Sequence, residues 1–113
     1  MYMDKEKKFK LTESEILPLI KPIGGCYASD KITIDGDLIG YMYREDPNFE
    51  KDSGWRFFSG TETQDYVDDP NNLMIYDVNT IANYDKAIIP FLTLEIGSEL
   101  ERNNTNSFSL IKK

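Results

Sequence analysis

Apolar positions along this chain follow a helical period first and a period of two afterwards, and the switch outlines the expected elements. Thr12 with Glu15 three places on forms a capping box followed by Ile16, Leu17 and Ile20, which predicts a helix start. Pro18 limits that helix to a short or kinked piece, and Pro22, Gly24 and Gly25 end it and turn the chain. From Cys26 the period is two. Residues 26–29 and 31–34 read as short strands, and Asp35-Gly36-Asp37 reads as a turn. Residues 38–44 form a stronger strand with Tyr41 and Tyr43 on one face and Met42 and Arg44 on the other. After a polar loop over residues 45–54, residues 55–59 return as a strand. Residues 38–59 are therefore expected to form a long-looped antiparallel hairpin.

Thr61 with Gln64 repeats the capping-box spacing and predicts a short acidic helix that Pro70 stops at or before Asp69. Residues 73–76 predict a buried strand. Asp77 can cap a helix carrying Val78, Ile81 and Ala82, and Asp85 can cap another carrying Ile88, Ile89 and Leu92, with Pro90 kinking or ending it. Residues 98–102 and 108–111 predict late strands across an Asn-rich turn. There is no internal repeat, low-complexity tract or linker. Short strands and short helices without regular β-α alternation predict an α+β fold, a mainly antiparallel sheet with short helices packed on it. Its expected extent is a single domain over residues 12–113, preceded by a charged N-terminal arm over residues 1–11.

Composition narrows the function. With 113 residues, 40% of them hydrophobic, the chain has room for one core. Twenty acidic residues against thirteen basic ones give a charge of −7. Such a surface repels phosphate backbones and anionic lipid, so no nucleic-acid and no membrane partner is expected, and it would steer a basic protein inward. Cys26 is the only cysteine, so no internal disulfide can form. The start reads as neither a secretory signal nor a transit peptide, and no stretch reaches the roughly 20 apolar residues of a membrane span. A cytoplasmic location is expected, where the Asn103-Asn104-Thr105 sequon has no meaning.

Candidate chemistry is sparse. Without histidine no imidazole-based triad can be built, and Cys26 has no basic neighbour to lower its pKa, so it reads as a buried inert thiol. Gly24-Gly25 lacks the Lys-Ser/Thr ending and following helix of a phosphate loop and reads as a turn. No catalytic residue, cofactor or metal ligand is therefore expected. The carboxylates Glu45, Asp46, Glu50 and Asp52 crowd one loop. They are the basis of one alternative, a small-molecule or cation-binding domain with weak hydrolytic activity, although their spacing does not match a calcium loop. Glu62, Asp65, Asp68 and Asp69 form a second acidic set, either a solvated face or a docking surface for a basic partner. On the strand after the loop, Trp55 and Phe57 share one face while Arg56 and Phe58 share the other. That pattern fits a central strand covered on both sides, with Arg56 paired to a carboxylate, or an aromatic interaction surface.

Four runs of residues resemble a known family. They are Gly25-Cys26-Tyr27 through Ser29-Asp30; Gly40-Tyr41-Met42-Tyr43-Arg44-Glu45; Asp52-Ser53-Gly54-Trp55-Arg56-Phe57-Phe58-Ser59-Gly60; and Ile75-Tyr76-Asp77-Val78-Asn79-Thr80-Ile81-Ala82-Asn83-Tyr84-Asp85. Together they look like the signature of the bacterial immunity protein thirty-three-like family, formerly a domain of unknown function, over roughly residues 24–102. The resemblance implies a role in neutralising polymorphic toxins and brings no catalytic residue. Lys86 stands where the family pattern suggests proline, a departure expected to loosen a helix start. The leading expectation is a non-enzymatic protein-binding module engaging a basic toxin through Trp55, Phe57, Glu62, Asp65, Asp68 and Asp69. A housekeeping fold whose patterned residues serve only stability is the remaining reading.

Overall fold

The structure, a computed structural model, describes residues 7–111. Its strands are β1 (Gly25–Ser29), β2 (Tyr41–Arg44), β3 (Asp52–Phe58), β4 (Leu73–Asp77), β5 (Glu99–Asn104) and β6 (Ser107–Leu110). Its α-helices are α1 (Asp30–Thr33), α2 (Gln64–Asp68) and α3 (Val78–Tyr84), with 3-10 turns at Glu13–Glu15, Pro70–Asn72 and Lys86–Phe91. All six strands join one sheet in the order β4-β1-β3-β2-β5-β6. The fold is α+β, and the sheet is mixed rather than purely antiparallel: four pairings are antiparallel and β1 runs parallel to β3. The parallel pair follows from the connections. The β1–α1–β2 crossover leaves room for one strand, and the β2–β3 hairpin turns β3 back into that space.

The expected hairpin is present, with Tyr41 opposite Phe58 and Tyr43 opposite Arg56, although its first strand begins at Tyr41. Residues 38–40 precede the strand, and the Ile39 amide donates to Asp85 Oδ2 at 3.0 Å. The expected strand over residues 31–34 is instead α1. Ser29 caps it by accepting from the Lys31 amide at 3.1 Å, and Ile32 and Thr33 are buried. The helix after β3 starts two residues later than the Thr61–Gln64 spacing predicted. Thr63 is the cap, accepting from the Tyr66 amide at 3.2 Å. The strand over residues 73–76 is not buried. As β4 it is a sheet edge paired only with β1, leaving Met74 and Ile75 37% and 51% exposed.

Asp77 and Asp85 cap as expected, accepting from the Asn79 and Ala87 amides at 3.0 and 3.1 Å. Lys86 opens the turn that Asp85 caps and stands exposed. Val78, Ile81, Ala82, Ile88 and Leu92 then cover one face of the sheet, whose inward residues include Cys26, Ala28, Met42, Trp55, Phe57 and Leu100. The Trp55 indole N–H donates to the Leu92 carbonyl at 3.2 Å, which satisfies the one polar atom of that buried side chain.

The Thr12–Glu15 box closes a single 3-10 turn, with the Thr12 amide donating to Glu15 at 2.8 Å. Residues 16–24 form no helix. Instead Asn79 and Asn83, one turn apart on α3, bind this segment by its backbone. Asn83 accepts from the Leu17 amide at 2.9 Å, and Asn79 accepts from the Leu19 amide at 2.8 Å while donating to the Leu17 carbonyl at 2.8 Å. The first six residues of the expected arm lie outside the described residues. The part that is described docks: the Lys10 amide donates to Thr33 at 2.8 Å, and Lys7 pairs with Asp30 at 3.0 Å. Among the described residues no helix is long and apolar enough to cross a membrane.

Gly54 lies within β3 with φ of +91°, and a Cβ there would collide with the Glu45 carbonyl oxygen. Both the backbone region and the space exclude a side chain. Gly54→Ala is expected to lower unfolding free energy by about 3 kcal/mol, measured by denaturant titration. A loss below about 1 kcal/mol would show that the strand tolerates the side chain by shifting.

Candidate functional site

Strand alternation divides β3 between two environments. Trp55 and Phe57 enter the core, while Arg56 and Phe58 lie on the opposite face. Arg56 is only 2% exposed. Its Nη1 and Nη2 donate to Asp52 Oδ1 and Oδ2 at 2.9 and 2.7 Å, and its Nε donates to Glu45 Oε2 at 2.6 Å. The guanidinium also lies 4.8 Å from the centre of the Tyr27 ring. This two-pronged grip matches the fork of an arginine to a carboxylate.

Burial pushes the Asp52 carboxyl up, but hydrogen bonds from Arg56 and from the Asn48 and Gly54 amides outweigh it and hold the pKa at about 2. Asp52 therefore stays ionised at neutral pH and has no proton to give. Of the four carboxylates in the acidic loop, Glu45 and Asp52 are spent on Arg56, and Asp46 and Glu50 face solvent. Among the described residues no group of three or more His, Cys, Asp or Glu side chains is placed to hold a metal ion.

Beside Arg56 the same face carries an aromatic cluster. Tyr43 and Phe58 stack at 6.1 Å with an angle of 6°, and Tyr41 lies 5.7 Å from Tyr43 and 6.3 Å from Phe58. These rings floor a cleft of about 440 Å³ whose walls include Glu62 and Val67 from the segment after β3 and Glu101 from β5. Gly40 and Gly60 line it too, and among the described residues the lining contains no lysine or arginine. Burial, reinforced by Glu99, raises the Tyr41 phenol to about 12. Burial raises the Tyr43 phenol as well, with Glu45 adding to the effect. Both phenols stay protonated at neutral pH. Burial pushes Glu62 up, but the Ser59 amide leads a set of hydrogen bonds that bring its carboxyl below the ordinary value. Its oxygens accept from the Ser59 and Gly60 amides at 2.8 and 3.0 Å. The cleft thus joins neutral aromatic rings to the side chains of Glu62 and Glu101.

The sequence-predicted site residues fall into two groups. Trp55 and Phe57 are 0% exposed, so the expected aromatic anchors are core residues that no partner reaches in this conformation. Their strand is central, and α3 with the turn after it covers that face. Glu62 stands on the cleft wall, and Asp65 and Asp68 are exposed on α2, the helix that borders the cleft through Val67. Asp69 caps the Pro70–Asn72 turn, accepting from the Asn71 amide at 2.9 Å. Cys26 is buried in the core, where desolvation pushes its thiol pKa up and leaves it without nucleophilic character. Sequence reasoning missed Tyr41, Tyr43, Phe58 and Glu101. The signal for three of them was the alternation that placed both tyrosines on one face of β2 and Phe58 opposite the core face of β3.

A depressed carboxyl pKa stabilises the fold above the unfolded value near pH 4, and that stability is lost as pH falls toward the folded value of about 2. Asp52→Asn is expected to cost about 3 kcal/mol at pH 7, because it leaves a buried guanidinium half-paired. It should also flatten the loss of stability between roughly pH 4 and pH 2. Denaturant midpoints measured across that range check both. An Asn variant whose acid sensitivity matches the parent would remove Asp52 as its source.

No curated protein and no solved structure matches this chain. Residues 26–112 match the Immunity protein Imm33 domain, a span that contains β1 from its second residue, β2 to β6, the Arg56 grip and the aromatic cleft. By that match the chain belongs to the Imm33 family of immunity proteins.

Proposed function

We propose that this chain is a non-enzymatic protein-binding module that neutralises a basic protein toxin in the cytoplasm by covering part of its surface. Membership of an immunity-protein family supports a toxin as the partner. The observation that carries the basic character of that partner is that Glu62 and Glu101 line one open aromatic cleft, beside a helix with Asp65 and Asp68 exposed, and that among the described residues nothing basic lines it. Aromatic rings bordered by solvated charge are the usual anatomy of a protein interface. Here the rings are those of Tyr41, Tyr43 and Phe58, which replace the buried Trp55 and Phe57 as anchors. Nothing in the loop over residues 45–52 favours a hydrolytic site, because two of its carboxylates neutralise Arg56.

All three arginines are committed inside the fold, which leaves lysines as the surface cations. Arg56 and Arg102 pair with Asp52 and Asp85, and Arg44 donates to the Ser53 and Leu94 carbonyls at 2.8 Å each. The acidic excess of the chain is therefore turned outward, where it accelerates encounter with a basic surface.

Co-expression tests the reading. The product of a neighbouring toxin gene should arrest growth of a host cell, and this chain should restore it. Growth that stays arrested would overturn the immunity role. With that toxin purified, Asp65→Asn combined with Asp68→Asn should slow association about tenfold at low salt and leave dissociation nearly unchanged. Surface binding kinetics at two ionic strengths read both rates. Association that ignores salt and the substitutions would reduce the acidic helix to a solubility feature.

A further inference from the structure

We propose that the cleft floored by Tyr41, Tyr43 and Phe58 receives an arginine side chain of the partner protein. The inference rests on the protein-binding reading above and names what that site recognises.

Three observations converge on a guanidinium. The first is the floor: three aromatic rings with centroids 5.7 to 6.3 Å apart line the cleft, and the face of such a ring attracts a cation through its negative quadrupole. The second is the wall chemistry. Glu62 accepts from the Ser59 and Gly60 amides, one on each oxygen, and from the Ser29 hydroxyl; these bonds favour its ionised form, and its two oxygens keep acceptor capacity. Glu101, on β5 opposite Tyr41, is exposed, and its carboxylate has no hydrogen-bond or ion-pair partner among the described residues. Among the described residues nothing basic lines the cleft to compete for either carboxylate.

The third observation is that this sheet face already holds a guanidinium by the same means. Arg56 sits 4.8 Å from the Tyr27 ring with its nitrogens on Asp52 and Glu45. Tyr43 is the cross-strand neighbour of Arg56, so the two arrangements of rings and carboxylates lie side by side. Two carboxylates on one guanidinium also leave the Arg56 cluster net negative, so it does not repel a second cation. A planar guanidinium can stack on a ring while its fork reaches a carboxylate, whereas an ammonium is a strongly hydrated point charge. Arginine is therefore preferred to lysine. The volume of about 440 Å³ is ample for one such side chain.

The test uses the whole chain and three short blocked peptides, Gly-Arg-Gly, Gly-Lys-Gly and Gly-citrulline-Gly, titrated by NMR. The arginine peptide should shift the ring resonances of Tyr41, Tyr43 and Phe58 saturably, with a Kd on the order of millimolar for so small a ligand. Citrulline, which keeps the shape and loses the charge, should leave them unmoved, and lysine should bind at least threefold more weakly. Glu101→Gln, at an exposed position that the fold does not use, should weaken the arginine peptide by about threefold. Equal shifts from citrulline, equal binding of lysine, shifts confined to α2, or no response to Glu101→Gln would each overturn the assignment. Unmoved rings in a chain that still restores growth would remove this inference alone. Peptide binding by a chain that fails to restore growth would remove the immunity reading alone.

Discussion

A buried guanidinium organises this molecule. Removing the charge of Arg56 from water is costly, and the cost is offset only because its Nε, Nη1 and Nη2 all find partners and a ring closes over it. Those partners come from different parts of the chain. Tyr27 belongs to β1, Asp52 to the start of β3, and Glu45 to the loop that follows β2. Phe49 from the same loop packs edge-on against Tyr27 at 5.7 Å, which covers the cluster from outside. The parallel pairing of β1 with β3, the course of the long hairpin loop and the burial of both faces of β3 thus share one electrostatic constraint. At the other end of the sheet Arg102 repeats the device, bonding Asp85 and the Ile39 carbonyl and tying β5 to the end of α3.

Much of this was legible in the sequence where a signal was both local and redundant. The hairpin showed because aromatics alternate on both of its strands. Asp77 and Asp85 showed because each cap precedes apolar residues at helical spacing. The pairing of Arg56 with a carboxylate followed from strand alternation, which placed it on a face shared with Phe58. Where a signal was short, tertiary context decided. Four residues from Lys31 to Ile34 satisfy a strand period and one helical turn equally, and the hydroxyl of Ser29 settled the choice. Thr61 precedes Glu62 and Thr63 precedes Gln64 and Asp65, and Glu62 turned back to the Ser59 amide, which left Thr63 as the cap. An apolar run over residues 73–76 does not reveal whether its strand is central or an edge.

The cleft was harder to see because its parts are distributed. Its floor lies in two of the runs that carry the family resemblance, whereas Glu62, Val67 and Glu101 stand outside all of them. Glu101 reaches the site only because β5 pairs with β2, a contact between segments about 60 residues apart. The large aromatics that stand out in the sequence, Trp55 and Phe57, went to the core for the reason that makes them conspicuous: they carry the most apolar surface to bury. The tyrosines, with a polar end that tolerates water, were left to face outward.

The asparagine pair on α3 has a different kind of consequence. Asn79 and Asn83 hold residues 17–20 through amides and a carbonyl, groups that every residue but proline offers in full. Leu17 is more than half exposed although its backbone is fixed at both ends. The attachment therefore places little demand on the identity of that side chain. Position 17 is a point at which the sequence can drift over generations without loosening the chain, so long as the two asparagines do not.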